Sequence, residues 1–250
     1  MSATSALRVT APLVIGRGVA DWPSHFSAIG AGYDERAFAG ASLAALGDRE
    51  LAIVLASVGA GRGRRLLDIG AGTGRFSAAL VAAGWRVTAF DGSSEMLRCL
   101  SARVPESERV QGRLGDPLPF AAGRFAAVVA MRVLKYVIDT PSALSEVARV
   151  AEPGAPVVFD AANGRSLARF GYVGSPMGFV TPTSILRLAA EQGLTVDAVH
   201  DGPRLPHAVL ARASSPLASH FTDAVERGLG CVLGSGRGAR SLIVEASRAD

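Results

Sequence analysis

The chain is short of cysteine, of lysine and of long apolar runs, and each shortage closes off a class of function. Of 250 residues only Cys99 and Cys231 are cysteines. They lie far apart and match no metal or redox spacing, which excludes a zinc ribbon or a disulfide scaffold and fits a reducing compartment. The most apolar stretches, residues 51–56 and 126–131, fall well below the roughly 20 residues a helix needs to cross a bilayer. The N-terminus lacks the basic head and apolar core of an export signal, so the expected location is the cytoplasm, with no membrane partner. Lysine and arginine together number 26, and Lys135 alone is lysine. The arginines are scattered, with one cluster at Arg62, Arg64 and Arg65. Together with the many alanines this skew reads as base-composition bias. The net charge of +4 and the pI of about 9.7 are therefore weak support for a nucleic-acid partner. His25, His200, His207 and His220 show no metal-ligand spacing, and no metal is expected.

What is present is a chain able to fold. With 49% hydrophobic residues and a mean hydropathy of +0.29, it can bury the core of one α/β domain. A helix is expected over residues 43–58, stopped by the glycine-rich run 59–63. Strand and helix signals then alternate: strand 65–69, helix 76–83, strand 86–90, helix 94–102, strands 110–114 and 126–131, helix 141–150, strand 156–160. A further helix over residues 181–192 has Thr181 as cap and Pro182 at its first position. Strands 194–200 and 241–246 close the pattern. Alternation of this kind implies a doubly wound, mostly parallel sheet with helices on both faces. The segment 202–239 is too long for a hairpin and should carry an inserted helix near residues 216–229.

Three turns carry chemistry. Asp68-Ile-Gly70-Ala71-Gly72-Thr-Gly74-Arg75 places glycines where the first strand becomes a helix, so a ligand can approach the backbone and the unpaired N–H groups of the helix start. Pyrophosphate is disfavoured, because a dinucleotide fingerprint wants a small residue where Arg75 stands. Asp91 ends the second strand, where a carboxylate can accept both hydroxyls of a ribose. Gly115-Asp116-Pro117 follows the third strand, and Asp116 could accept from an adenine amino group.

These elements in this order resemble the class I S-adenosylmethionine-dependent methyltransferases, in particular their small-molecule branch. The resemblance covers residues 33–159, with a weaker echo to residue 245. It implies a seven-stranded Rossmann-like sheet of order 3-2-1-4-5-7-6 with the last strand antiparallel. It implies S-adenosylmethionine as cofactor, S-adenosylhomocysteine as product, and a cofactor site made of Tyr33, Arg36, Asp68, Gly70, Ala71, Gly72, Asp91, Gly92, Met96, Gly115, Asp116, Pro117 and Met131. In this scheme the glycine loop surrounds the methionine end of the cofactor, Met96 packs on adenine, and Arg36 pairs with the carboxylate. The sequence departs from the family in having Ala126 after Phe125, a shortened loop after Asp116, and Lys135-Tyr136 in place of a common histidine pair.

The implied activity is methyl transfer to an O or N atom of a small-molecule acceptor by in-line displacement. Residues 1–42 would form a cap, with the aromatic stretch 22–38 as lid. Residues 43–250 would form the methyltransferase domain. Arg132, Lys135, Tyr136 and His207 are the candidate acceptor-binding residues, with Asn163 and Arg165 as possible helpers. No catalytic base is assigned, and the sequence does not set the oligomeric state. Two other functions share the fold: an RNA methyltransferase, and a regulator that binds the cofactor without turnover.

Overall fold

The structure, a computed structural model, describes residues 21–38, 40–166, 178–234 and 236–249. The first twenty residues of the expected cap lie outside the described residues. Helix α1 (Trp22–Ile29) passes through a 3-10 turn at Gly30–Gly32 into α2 (Tyr33–Ala37), and α3 (Ala41–Val58) follows. The α/β core then runs β1 (Arg65–Ile69), α4 (Arg75–Ala82), β2 (Arg86–Asp91), α5 (Ser94–Arg103), β3 (Glu108–Gln111) and β4 (Ala127–Ala130). It continues with α6 (Thr140–Val150), β5 (Pro156–Asn163), β6 (Phe179–Val180), α7 (Pro182–Glu191) and β7 (Leu194–Asp201). Helices α8 (His207–Arg212) and α9 (Pro216–Leu233) stand between β7 and the last strand, β8 (Ser241–Arg248).

The strand order is β3-β2-β1-β4-β5-β8-β7. β8 runs antiparallel to both β5 and β7. With the two-residue β6 set aside, this is the expected seven-stranded arrangement. β6 is an addition, pairing parallel to the end of β5 at Ala162 and Asn163. Where a single helix was expected between β7 and β8, there are two.

Alternation along the strands divides the core. Leu67 and Ile69 of β1 point to the face that also holds Phe90, Phe125, Phe159, Leu144 and Ile185, under α6 and α7. Leu66 points the other way, to Val54, Leu80 and Trp85 under α3 and α4. All four residues of β4 are buried, as a central strand covered on both faces requires. The helix starts follow local rules. Asp139 caps α6 by accepting from the Ser142 N–H at 3.2 Å, and Thr181 and Ser184 form a reciprocal capping box at α7.

Two strands differ from expectation by three residues at one end, and the others by two or fewer. β3 covers residues 108–111 rather than 110–114. The Phe90 ring lies where a side chain at Gly112 would go, 2.5 Å from a Cβ there, and the chain turns as the Gly112 N–H bonds to the Asp91 carbonyl at 3.1 Å. β5 runs past Asp160 to Asn163. The Asn163 amide donates to the carbonyls of Gly236 and Ala239 at 2.7 and 2.9 Å, which lengthens the pairing with β8 and commits Asn163 to structure instead of to an acceptor.

Candidate active site

β1 must turn sharply to enter α4. Gly70 makes the turn at φ +70°, and a Cβ there would stand 2.5 Å from the Cβ of Val133, so both backbone and space require glycine. Gly74 caps α4 in the left-handed region, with Leu100 of α5 at 2.8 Å from a Cβ placed on it. The third glycine thus serves helix entry and packing. Arg75 is accommodated beside it because Gly47 of α3 has no side chain: a Cβ on Gly47 would lie 2.2 Å from the Arg75 Nη1. Arg75 Nη2 donates to the Asp48 Oδ1 at 2.8 Å.

Asp91 sits at the end of β2 with each carboxylate oxygen held by backbone. Gly72 N–H donates to Oδ2 and Ser93 N–H to Oδ1, both at 2.8 Å. Burial pushes the Asp91 pKa up, and the N–H groups of Ser93, Gly72 and Gly92 pull it back. A carboxylate offers about four lone-pair sites, so Asp91 retains acceptor capacity toward the cavity that it lines. That cavity has a volume of about 470 Å³, within the range of small-molecule sites. Gly70, Ala71, Gly72, Gly92 and Met96 form part of its wall, as do Gly115, Asp116, Met131 and Tyr33. Met96 is buried, and its backbone N–H bonds to Ser93 at 3.2 Å.

Helices α1 and α2 roof the cavity and are clasped at both ends. At one end Asp21 pairs with Arg113, and Pro23 lies 2.9 Å from where a Gly92 Cβ would be. At the other, Asp34 accepts from the Thr73 hydroxyl at 2.7 Å and from the Arg103 Nη2 at 2.6 Å, tying α2 to the glycine loop and α5. Trp22, Phe26 and Tyr136 make the underside aromatic, with ring centroids 4.4 Å apart for Trp22 and Tyr136 and 5.2 Å for Phe26 and Tyr136. Phe38 closes the far wall with the Arg75 and Arg132 guanidinium groups over its ring at 4.2 and 4.7 Å. Asp34→Ala is expected to weaken cofactor affinity about fivefold, equivalent to one partly exposed charged contact. The loss should appear in the dissociation rate measured by stopped flow.

Six sequence-derived residues lie elsewhere than the cavity wall or are otherwise engaged. Arg36 is exposed on α2 and outside the wall, because the short helix turns Tyr33 and Asp34 inward and Arg36 outward. Pro117 is exposed, one residue beyond the turn. Asp68 is buried beneath the loop and accepts from the Ser77 hydroxyl of α4 at 2.6 Å. Arg132 lines the wall, yet its guanidinium is bound to the Glu50 carboxylate at 2.7 and 3.0 Å. Its backbone, at φ +61°, donates to the Asp160 carboxylate. Lys135 stands behind the wall with its Nζ 5.2 Å from the Tyr136 ring centroid. His207 begins α8, outside the wall. Burial and then the Arg240, Arg132 and Lys135 cations lower its pKa, against a hydrogen bond to Ala37, so it is neutral at neutral pH. Tyr136 is the one acceptor candidate that both lines the wall and presents its ring there. Among the described residues no group of three or more His, Cys, Asp or Glu is placed to hold a metal ion, and no helix is long and apolar enough to cross a membrane.

Asp68 also carries a pH signature. Burial first, and the nearby Asp91 charge as well, push its pKa to about 7, against the Ser77 hydrogen bond. A carboxyl whose pKa is raised on folding binds its proton more tightly in the native state. The stability it contributes is therefore present at low pH and declines as pH rises from about 4 to about 7. Asp68→Asn can keep an oxygen acceptor for Ser77 and removes the buried charge. The wild-type stability should fall relative to the variant by up to about 4 kcal/mol across that window, as read by urea unfolding at a series of pH values.

The strand order and the glycine-lined cavity at its rim are similar to those of the class I S-adenosylmethionine-dependent methyltransferases. Residues 67–159 match the family described as "Methyltransferase domain". A demethylmenaquinone methyltransferase of Renibacterium salmoninarum is 39% identical over 106 residues, 42% of this chain and 44% of that protein. A ubiquinone biosynthesis O-methyltransferase of Aromatoleum aromaticum is 31% identical over 150 residues, 53% of this chain and 64% of that protein. The chain thus spans less than two thirds of the length of these curated relatives. Among solved structures, an S-adenosylmethionine-dependent methyltransferase from Mesorhizobium loti is similar at a TM-score of 0.62 and 18% identity, over 81% of this chain and 98% of the other. The [4+2]-cyclase SpnF is similar at 0.62 and 20%, over 84% of each. At these identities the likeness is one of fold.

Proposed function

We propose that the protein transfers a methyl group from S-adenosylmethionine to an O or N atom of a small organic acceptor. The observation that supports this most is Asp91, a buried carboxylate fixed by two backbone N–H groups at the rim of a roofed cavity, with acceptor capacity left for a ribose diol. The residues fit the cofactor in kind. Gly70 to Gly72 leave the backbone open to its methionine end, Asp91 takes the ribose, and Met96 and Asp116 flank the adenine. When bound, the cofactor supplies a methyl group activated by a sulfonium.

The protein's own work is then positioning and exclusion of water. Holding two reactants in near-attack geometry can contribute roughly 7 to 11 kcal/mol at best. The roof of α1 and α2 keeps the site dry, which strengthens the fixed dipoles inside it. Tyr136, Trp22 and Phe26 give the acceptor an apolar, flat-walled seat beside Met131. Lys135 and neutral His207 stand one layer behind, where they set the field on the acceptor.

Calorimetry with S-adenosylhomocysteine should show binding, and labelled methyl should pass from the cofactor into one of a panel of phenolic, carboxylic and amine acceptors. No binding of the homocysteine product would defeat the proposal. A second reading, binding of the cofactor without transfer, rests on the same cavity and on the absence of an assigned catalytic base. Binding of S-adenosylhomocysteine with no methyl passing to any acceptor of the panel would favour it.

A further inference from the structure

Helix α9, 18 residues long, contributes no residue to the cavity wall. Its inner face is tied down. Thr222 and Ser42 of α3 share a hydroxyl hydrogen bond at 2.9 Å, and the Glu226 carboxylate accepts the backbone N–H groups of Arg204 and Leu205 at 2.9 and 2.6 Å. The outer face is apolar. Leu217, Phe221, Ala224, Gly228 and Cys231 recur in steps of four, three, four and three, which places them in one stripe along the helix. The large side chains of that face are strongly exposed: Leu217 by 83%, Phe221 by 70% and Val232, beside the stripe, by 83%. Exposed apolar surface of this continuity marks an interaction face.

We propose that α9 is the interface of a twofold homodimer, packed antiparallel against α9 of a second copy. The step of 3.5 residues is the repeat of a helix–helix seam, narrower than the broad apolar face of a helix that lies in a lipid surface. The stripe is also self-complementary. A twofold axis crossing the stripe at the level of residue 226 sets Ala224 of one copy opposite Gly228 of the other, so the backbones approach closely at the centre, and sets Phe221 opposite Cys231 on either side. The flanking charges follow the same symmetry. Asp223 and Arg227 are both exposed, lie along the same edge of the stripe, and form no ion pair among the described residues. Reversal of the helix direction brings Asp223 of each copy beside Arg227 of the other, two ion pairs from one pair of residues. A flank with one acid and one base matches its own reverse and offers an anionic membrane no net attraction.

The test is sedimentation equilibrium of the full chain with reductant present, which removes any disulfide through Cys231. The expected mass is twice the 25.7 kDa of the chain. Phe221→Glu should give a monomer with an unchanged circular dichroism spectrum. Asp223→Arg and Arg227→Asp, each alone, turn both ion pairs into like-charge pairs and should weaken association at least about tenfold, and the double swap should restore it. A chain that is monomeric at every soluble concentration overturns the proposal. So does a dimer that ignores Phe221→Glu, a dimer lost on adding reductant, or a double swap no better than either single change. Binding of a monomer to phosphatidylcholine vesicles through Phe221 would also overturn it, by assigning the face to lipid.

Discussion

Asp91→Ala is expected to weaken binding of S-adenosylhomocysteine by at least about 100-fold in calorimetry, while the far-ultraviolet spectrum stays that of the wild type. Two losses add. Hydrogen bonds to a charged group contribute about 1.5 to 3 kcal/mol each, and two ribose hydroxyls would lose theirs. The Gly72 and Ser93 N–H groups also lose their common acceptor, so the glycine loop is no longer held against the end of β2. Asp91→Asn should recover little. An asparagine can turn its oxygen to only one of those two N–H groups and must point its own NH2 at the other. The comparison separates charge from shape: an Asn variant close to wild type would mean that neither the carboxylate charge nor its second oxygen matters, and the ribose assignment would fall.

The fold was legible because its period-two and period-3.6 signals are local. β1 was read to the residue from a short apolar run ending at glycine, and the antiparallel β8 was expected only through the family resemblance. The site was legible where backbone chemistry leaves a mark in sequence, as at Gly70 and Asp91. Residues whose role depends on a distant neighbour were misplaced or missed. Arg36 resembled a carboxylate partner by its place in the motif, but nothing in the sequence states which way a five-residue helix turns it. Arg75 was read as an obstacle to pyrophosphate, whereas its bulk fits the absence of a side chain at Gly47, 28 positions away. Phe38 was legible as the end of the aromatic stretch 22–38, but its place between the Arg75 and Arg132 guanidinium groups was not.

Glu50 is the case in which the signal existed. It was assigned no role from sequence, yet positions 43, 47, 50, 54 and 58 form the buried stripe of α3, and Glu50 is the one charge on it. A carboxylate placed there requires a cation beneath, and Arg132 provides it: burial alone would lower the Arg132 pKa, and Glu50, together with Tyr33 and Asp160, more than offsets that. Glu50→Gln should therefore cost about 3 to 5 kcal/mol in urea unfolding, since the guanidinium stays buried beside a neutral amide. Glu50→Gln combined with Arg132→Met should recover most of that loss. Methionine at 132 meets the same backbone strain at positive φ as arginine does, and a buried ion pair is worth little more than apolar side chains of similar volume. The pair also fixes the wall of the site. Arg132 lies over Phe38, so the single variant should loosen the end of the roof and raise the cofactor dissociation rate, and the double variant, which restores packing without restoring the stacked cation, should regain stability more fully than it regains affinity. Equal recovery of both would show that Arg132 acts on the cavity through packing alone.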